Sequence, residues 1–484
     1  MKTKCWYALI AFSFVFSTPL ALAQLEENRA LTTEELLASS EKHFPLILQS
    51  LAKQRAAKAT VQEAAGAFDL VFESEGFGRL SGFYDGRAIS GTVKQPLRKY
   101  GASLYGGYKL SEGDFPIYED INFTNTGGTF KIGVLFSLLR DRDIDKPRFD
   151  VTDAELGFRA ASLDILLTKI GVQQQALVAY WTWVANGRQL EIYENLLSLA
   201  GKRQKALERQ VERGARAKIF LTENRQNILR RQSLVMAAGR DLELAANRLS
   251  FYYRDENGRP MVPQTSRLPK ASPRDALTTS ELPSEEATSN ALTQRPELRL
   301  LLNAIERERN RIALRENALK PRLDLKLELQ DGLGGVQEGG RSRDTTDTVV
   351  GFSFSVPLQQ RSERGRLERS RAQLDAQLQA QQFKRDQIEL EVRNLLLDLG
   401  VSGRLLVLAE REAELSELLR VAEVRRFESG ASDFFLVNIR EETAANNLIK
   451  LFRAELKIRI ARANYDAATV DFERLGIDPM VLAP

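Results

Sequence analysis

The sequence predicts a mixed α and β membrane protein with an internal twofold repeat, in which very long helices alternate with short blocks of strands. Three observations carry this. Proline is absent from Arg148 to Arg259 and again from Leu358 to Asp478, two blocks rich in Leu, Ala, Glu, Gln and Arg, the composition of long helices. Glycine collects elsewhere: of 31 glycines, 13 lie between Gly66 and Gly133 and 6 between Gly332 and Gly351, which marks strand-and-turn territory. The halves also repeat each other, since the run from Gly133 to Leu139 matches that from Gly351 to Pro357 at an offset of 218, and Gly214 matches Gly430 at an offset of 216.

The chain opens with Lys2 and Lys4, an apolar run from Ala8 to Phe16, and Ala21-Leu22-Ala23 before Gln24. That order reads as a secretory signal peptide over 1–23. Its removal takes away Cys5, the only cysteine, and lowers the formal charge from +4 to +2. With one cysteine and one histidine, His43, no Cys or His metal cluster, disulfide or thiol nucleophile can be assembled. Charges of both signs are interspersed, so no nucleic-acid footprint is read.

The first repeat, 24–254, begins with a capping-box pattern at Thr32-Thr33-Glu34-Glu35. Its strand block, 67–140, holds alternating runs from Phe68 to Glu73, Ala102 to Leu110 and Lys131 to Ser137. A helix of some 65 residues follows, turns at Gly214, and returns as a second helix. A segment rich in Pro, Ser and Thr, 255–294, reads as an irregular connector. The second repeat, 295–478, restarts at Arg295-Pro296-Glu297-Leu298, with proline in the first helical turn. It carries strands over 322–357, a helix of nearly 70 residues, the Gly430 turn and a final helix, before a short tail at 479–484.

The two long helices would each reach about 100 Å at 1.5 Å per residue. No globular core is that deep, so they are expected to pack along one another, with seams at Leu196, Leu199, Leu207 and Val211 in the first half and at Leu405, Leu408, Leu415, Leu418 and Ala422 in the second. Arg411 and Arg425 interrupt the second seam, which predicts a wider sheet of helices with one polar face. Leu323, Leu325, Leu327 and Leu329 alternate with Asp324, Lys326 and Glu328. That pattern suits a soluble sandwich strand or a strand with leucines against lipid and charges in a lumen. The export signal and a strand length near nine residues favour lipid. About four good strands are read per chain, too few for a closed barrel, so copies of the chain must complete it, two or three in number.

In this order and spacing, "RPEL" at Arg295, "LKPRLDLKLEL" at Leu319, "FSFSVPL" at Phe352, "RLERSRAQL" at Arg366 and "RRFESGASDFFLVNIREE" at Arg425 resemble the TolC-like outer membrane factor family, from about Leu31 to Leu475. The resemblance implies a homotrimer with four strands per chain in one twelve-stranded outer-membrane β-barrel, continuous with a periplasmic α-helical, coiled-coil barrel. It implies an equatorial position for the 255–294 connector. It also implies a passive duct for efflux or type I secretion, coupled through a periplasmic adaptor (membrane fusion) protein to an inner-membrane transporter of the RND or ABC type.

On that reading the turns at Gly214-Ala215 and Gly430-Ala431-Ser432 are the adaptor-docking tips. Phe220, Glu223, Leu436 and Ile439 are entrance-constriction candidates. Many family members place aspartates where this chain has Leu436 and Ile439, so an apolar closure is expected there; Glu441 and Glu442 are read as solvated surface. The first strand block is about twice as long as the second, leaving room for a long extracellular loop or an added hairpin. No cofactor and no catalytic constellation is read, and the "GLGG" run at Gly332 does not open a helix as a phosphate cradle would. A coiled-coil envelope scaffold and a specific porin are the competing classes.

Overall fold

Tertiary structure comes from a computed structural model that describes residues 29–269, 284–337 and 345–478. The expected signal peptide with Cys5, the middle of the connector and the C-terminal tail lie outside the described residues. Element order is α1 (Thr33–His43), α2 (Pro45–Ala65), β1 (Val71–Gly78), β2 (Arg87–Pro96), β3 (Ser103–Glu112), β4 (Thr129–Ser137), α3 (Lys146–Glu212), α4 (Ile219–Ser250), α5 (Ser284–Gln294), α6 (Pro296–Ala318), β5 (Arg322–Gly332), β6 (Asp347–Ser355), α7 (Arg361–Glu428) and α8 (Phe434–Thr469).

Local chemistry accounts for the helix starts. Thr32 caps α1 by accepting the Glu35 N–H at 3.2 Å. Glu35 does not reach back as a capping box would; its carboxylate takes two bonds from Arg267 at 2.7 and 2.9 Å and one from the Tyr253 hydroxyl at 2.6 Å. Pro296 opens α6 behind Arg295, where the missing proline N–H costs no helical bond. The connector is more ordered than its composition suggests, because α5 occupies its last eleven residues.

The six strands form one antiparallel sheet in the order β1-β2-β3-β4-β5-β6. This corrects the expectation of four strands per chain. The surplus is the hairpin β2–β3, which stands between β1 and β4, whereas β5 pairs directly with β6. Glycine and short polar residues in Arg87–Pro96 had masked the alternation of β2. With six strands, a twelve-stranded barrel would need two copies and three copies would bring eighteen.

The chain divides into two compact units. One contains the sheet and, in a row, α2, the first part of α3, α6 and the first part of α7. Gln54 bonds Ser162 at 2.8 Å, Arg307 forks onto Asp153 at 2.7 and 2.8 Å, and Arg371 pairs with Glu316 at 3.2 Å. The other holds α1, the rest of α3, α4, the rest of α7, and α8. Its core packs Leu36, Ala176, Tyr180 and Trp183 against Leu242, Ala245 and Leu249. Here the row runs α4, α3, α8, α7. Arg231 of α4 donates to the Leu196 carbonyl at 2.6 Å, Gln174 of α3 to Asn464 at 2.6 Å, and Lys450 of α8 pairs with Glu412 of α7 at 2.5 Å.

The seam of α7 is also corrected. Ile388, Val392, Leu399, Ser402, Ala409, Ala413, Ser416 and Glu423 are buried, and their spacing of three, four and seven is a heptad. Ala409 and Ala413 meet Leu451 of α8. The leucines expected in the seam are on another face: Leu405 is 45% exposed and Leu408, Leu415 and Leu418 about 60%. Small Ser and Ala side chains let α8 approach closely, which a search for leucine could not detect.

Candidate functional site: the glycine turns, the ion cluster and the two-faced sheet

Helices α3 and α7 end in turns that carry Gly214 and Gly430, with φ of +73° and +80°. The hydrogen bonds are the same at both. Gly214 N–H reaches the Val211 carbonyl at 3.0 Å and Ala215 N–H the Gln210 carbonyl at 2.8 Å; Gly430 N–H reaches Phe427 at 3.1 Å and Ala431 N–H Arg426 at 2.8 Å. This is the Schellman ending, in which a left-handed residue closes the last carbonyls of a helix. Among the described residues, no atom beyond the adjoining residues lies within 4 Å of where a Cβ would stand on either glycine, so backbone conformation alone asks for glycine here.

The chain restarts differently after each turn. Asp433 caps α8 by accepting the Leu436 N–H at 2.7 Å, whereas Lys218 gives α4 no side-chain cap. Ser432 donates to the buried Glu423, which also pairs with Arg426 at 3.6 Å. The turns meet through aromatic side chains. Phe220 and Phe434 stand edge to face at 6.1 Å, and the Arg216 guanidinium lies 5.7 Å from the Phe220 ring and 5.4 Å from that of Phe427.

Behind this contact is a buried ionic cluster. Glu441 of α8 receives Arg203 of α3, at 3.1 Å through one nitrogen and at closer range through the other, and Arg231 of α4 at 3.1 Å. Arg203 also donates to Asn438 at 2.7 Å, and Asn227 does so at 3.0 Å. Two guanidinium groups and one carboxylate leave a surplus positive charge. Burial pulls the Arg231 guanidinium below its ordinary pKa, and Glu441 pulls it back up. The cluster ties three helices together with charge-assisted bonds.

Of the residues singled out from sequence, Gly214, Ala215, Gly430 and Ala431 are exposed on the turns and Ser432 is half-buried. Phe220 and Leu436 are half-buried, while Glu223 and Ile439 are exposed. The reading of Glu441 as solvated surface is corrected, because it is 1% exposed between two arginines. Glu442 pairs with Arg230. Arg203, Asn227, Arg231 and Asn438 were missed, and part of the cluster had a signal. Phe434, Val437, Glu441 and Ala444 recur at three and four on the buried face of α8, and Asn224, Asn227 and Arg231 do so on α4.

The sheet is two-faced. Leu323, Leu325, Leu327 and Leu329 share a face with Phe354, Phe352 and Val350 of β6 and with Phe136, Val134 and Ile132 of β4, their cross-strand partners. On the other face Glu328 accepts the Tyr105 hydroxyl at 2.7 Å and pairs with Lys326 at 3.0 Å, while Asp324 accepts Ser137 at 3.0 Å. Among the described residues no helix is long and apolar enough to cross a membrane.

No protein-family model and no curated protein matches this chain. Solved structures do match. The outer-membrane channel OprN is 17% identical with a TM-score of 0.63, over 92% of this chain and 91% of that one. The CmeC outer membrane channel of Campylobacter jejuni is 13% identical with a TM-score of 0.63, over 99% of both. The open-state MtrE outer membrane channel of Neisseria gonorrhoeae is 15% identical with a TM-score of 0.63, over 90% and 88%. Over nearly its whole length, this chain has the fold of outer-membrane channels.

Proposed function

We propose that copies of this chain, three to an assembly, form a passive channel in the outer membrane that continues as a helical tunnel in the periplasm. It is an exit duct for substrates delivered by an inner-membrane transporter of RND or ABC type through a periplasmic adaptor, and it carries out no catalysis. The observation that carries this reading is the sheet, apolar on one face and charged on the other, with both edge strands unpaired among the described residues. An open edge is not tolerated in lipid, so β1 and β6 call for partner copies.

The helices support the same closure. In the row α4, α3, α8, α7, both outer helices carry apolar stripes that are exposed among the described residues, with Leu229, Met236 and Leu244 on α4 and Leu408, Leu415 and Leu418 on α7. Against one another in neighbouring copies, these stripes complete a ring. The Gly214 and Gly430 turns, with Ala215, Ala431 and Ser432, are the adaptor-docking surface, and Phe220, Glu223, Leu436 and Ile439 narrow the entrance. Leu323, Leu325, Leu327 and Leu329 face lipid.

Fractionation with gene deletion tests the proposal. Detergent-dependent, heat-modifiable trimers in the outer membrane, together with loss of export on deletion, are expected. Extraction by buffer alone would overturn it in favour of a scaffold, and a nutrient-uptake defect would favour a porin.

A further inference from the structure

Six strands, against four helices beside them, is the feature that the channel reading leaves unexplained. Within the sheet-bearing unit, α2 leads into β1, β4 into α3, α6 into β5 and β6 into α7. All four junctions lie at one end of the antiparallel sheet. The hairpin β2–β3 has no helix of its own and turns back at that end through residues 97–102.

That turn is built into the wall. Gln95 donates to the Phe68 carbonyl at 2.6 Å, the Arg98 guanidinium lies 5.5 Å from the Phe68 ring, and Leu97 N–H bonds the Ala102 carbonyl at 2.8 Å. Gly101 is pressed so close to the β4–α3 connection that a Cβ would come within 2.2 Å of the Asp141 carbonyl oxygen. The turn therefore fills the interval between the α2 and α3 junctions. It is six residues long, whereas at the opposite end the β1–β2 and β3–β4 loops span 79–86 and 113–128, the asymmetry of barrels with short inner turns and longer outer loops.

The hairpin has the dimensions and the faces of a membrane wall. Each strand has ten residues, enough to cross a bilayer when tilted. Register places Ile89, Val93, Leu104 and Leu110 on the face of the β4 and β5 leucines and phenylalanines, and Ser90, Thr92, Lys94, Tyr105 and Lys109 on the face of Lys131 and Glu328. Width agrees as well. Strands about 4.8 Å apart and tilted by about 40° take up roughly 38 Å when there are six and roughly 25 Å when there are four. Four helices side by side, at about 8–10 Å each, take up roughly 32–40 Å.

We infer that β2–β3 is a lipid-spanning part of the barrel wall, so that each copy contributes six strands and three copies close an eighteen-stranded barrel, β6 of one copy pairing with β1 of the next. This rests on the channel reading. It assigns the edges of the sheet to a second copy of this chain, and it gives the barrel the same perimeter per copy as the helices that continue it.

Single-cysteine variants of the full chain, assembled in outer-membrane vesicles and treated with a hydrophilic, membrane-impermeant maleimide, test it. Ser90→Cys, Thr92→Cys and Lys109→Cys are expected to label from water. Ile89→Cys, Val93→Cys and Leu104→Cys are expected to label only after detergent is added. Leu325→Cys and Lys326→Cys in β5 report on the channel reading itself, and three positions per face guard against a variant that fails to assemble. Labelling on both faces of the hairpin, with alternation kept in β5, would overturn the inference and leave the channel standing. Loss of alternation in β5 as well would overturn the channel reading. Native mass of the solubilised assembly counts copies: three supports eighteen strands, and any other number overturns that count.

Discussion

Arg231 meets Glu441 at 3.1 Å with both side chains 1% exposed, on α4 and α8, the helices that follow the Gly214 and Gly430 turns. A carboxylate held this way cannot be removed quietly. Glu441→Leu strands two guanidinium groups without their counter-charge, and breaking a buried ion pair from one side costs about 3–5 kcal/mol. The unfolding temperature of the solubilised assembly is expected to fall. Adding Arg231→Met and Arg203→Leu to that variant is expected to restore most of the loss, since apolar replacements of a whole buried cluster are often neutral.

Gly430 offers a separable test, because space around it is open and only its φ is demanding. A left-handed conformation costs a side-chain-bearing residue about 1–2 kcal/mol, least for Asn. Gly430→Asn is expected to export normally. Gly430→Val is expected to lose export while oligomers still reach the outer membrane; wild-type export by the valine variant would remove the docking role given to this turn.

Charge placed on the outer face of α7 is expected to act on assembly and not on the fold of the single chain. Leu415 is exposed within one chain, so Leu415→Glu leaves intrachain packing alone. Cross-linking and native electrophoresis should then show monomers with unchanged helical content by circular dichroism.

Asp466 gives a pH dependence. Burial pushes its carboxyl from an ordinary 3.8 up to about 7, although Arg474 and Arg462 pull it down and Asp471 adds to the rise. The folded state therefore holds this proton more tightly than the unfolded chain does. The stabilisation is fully present below about pH 4 and is lost as pH rises towards 7. Asp466→Asn is expected to raise the thermal unfolding temperature above pH 7 and to flatten its decline between pH 4 and 7.

Much of this was legible in the sequence because the physics was local. The last prolines before the two proline-free blocks placed the starts of α3 and α7 to within a few residues, and glycine in a helical context located both left-handed turns and so the helix ends. Leu323 to Leu329 announced β5 by strict alternation. What escaped was set by neighbours. Glu441 looked like surface because most carboxylates on charged helices are, and only its three-and-four spacing from Phe434 and Val437 placed it inside. The seam of α7 escaped because much of it is built from Ser402, Ala409, Ala413 and Ser416, while Leu408, Leu415 and Leu418 stand exposed. Strand β2 escaped because Ser90, Gly91 and Thr92 blur its period.

The hairpin β2–β3 enters and leaves the sheet at the same end, so adding it moves no helix junction to the other side. On the eighteen-strand reading, bore would thereby be set in steps of two strands per copy without rerouting a helix. Since barrel diameter grows roughly linearly with strand number, going from twelve strands to eighteen about doubles the open cross-section.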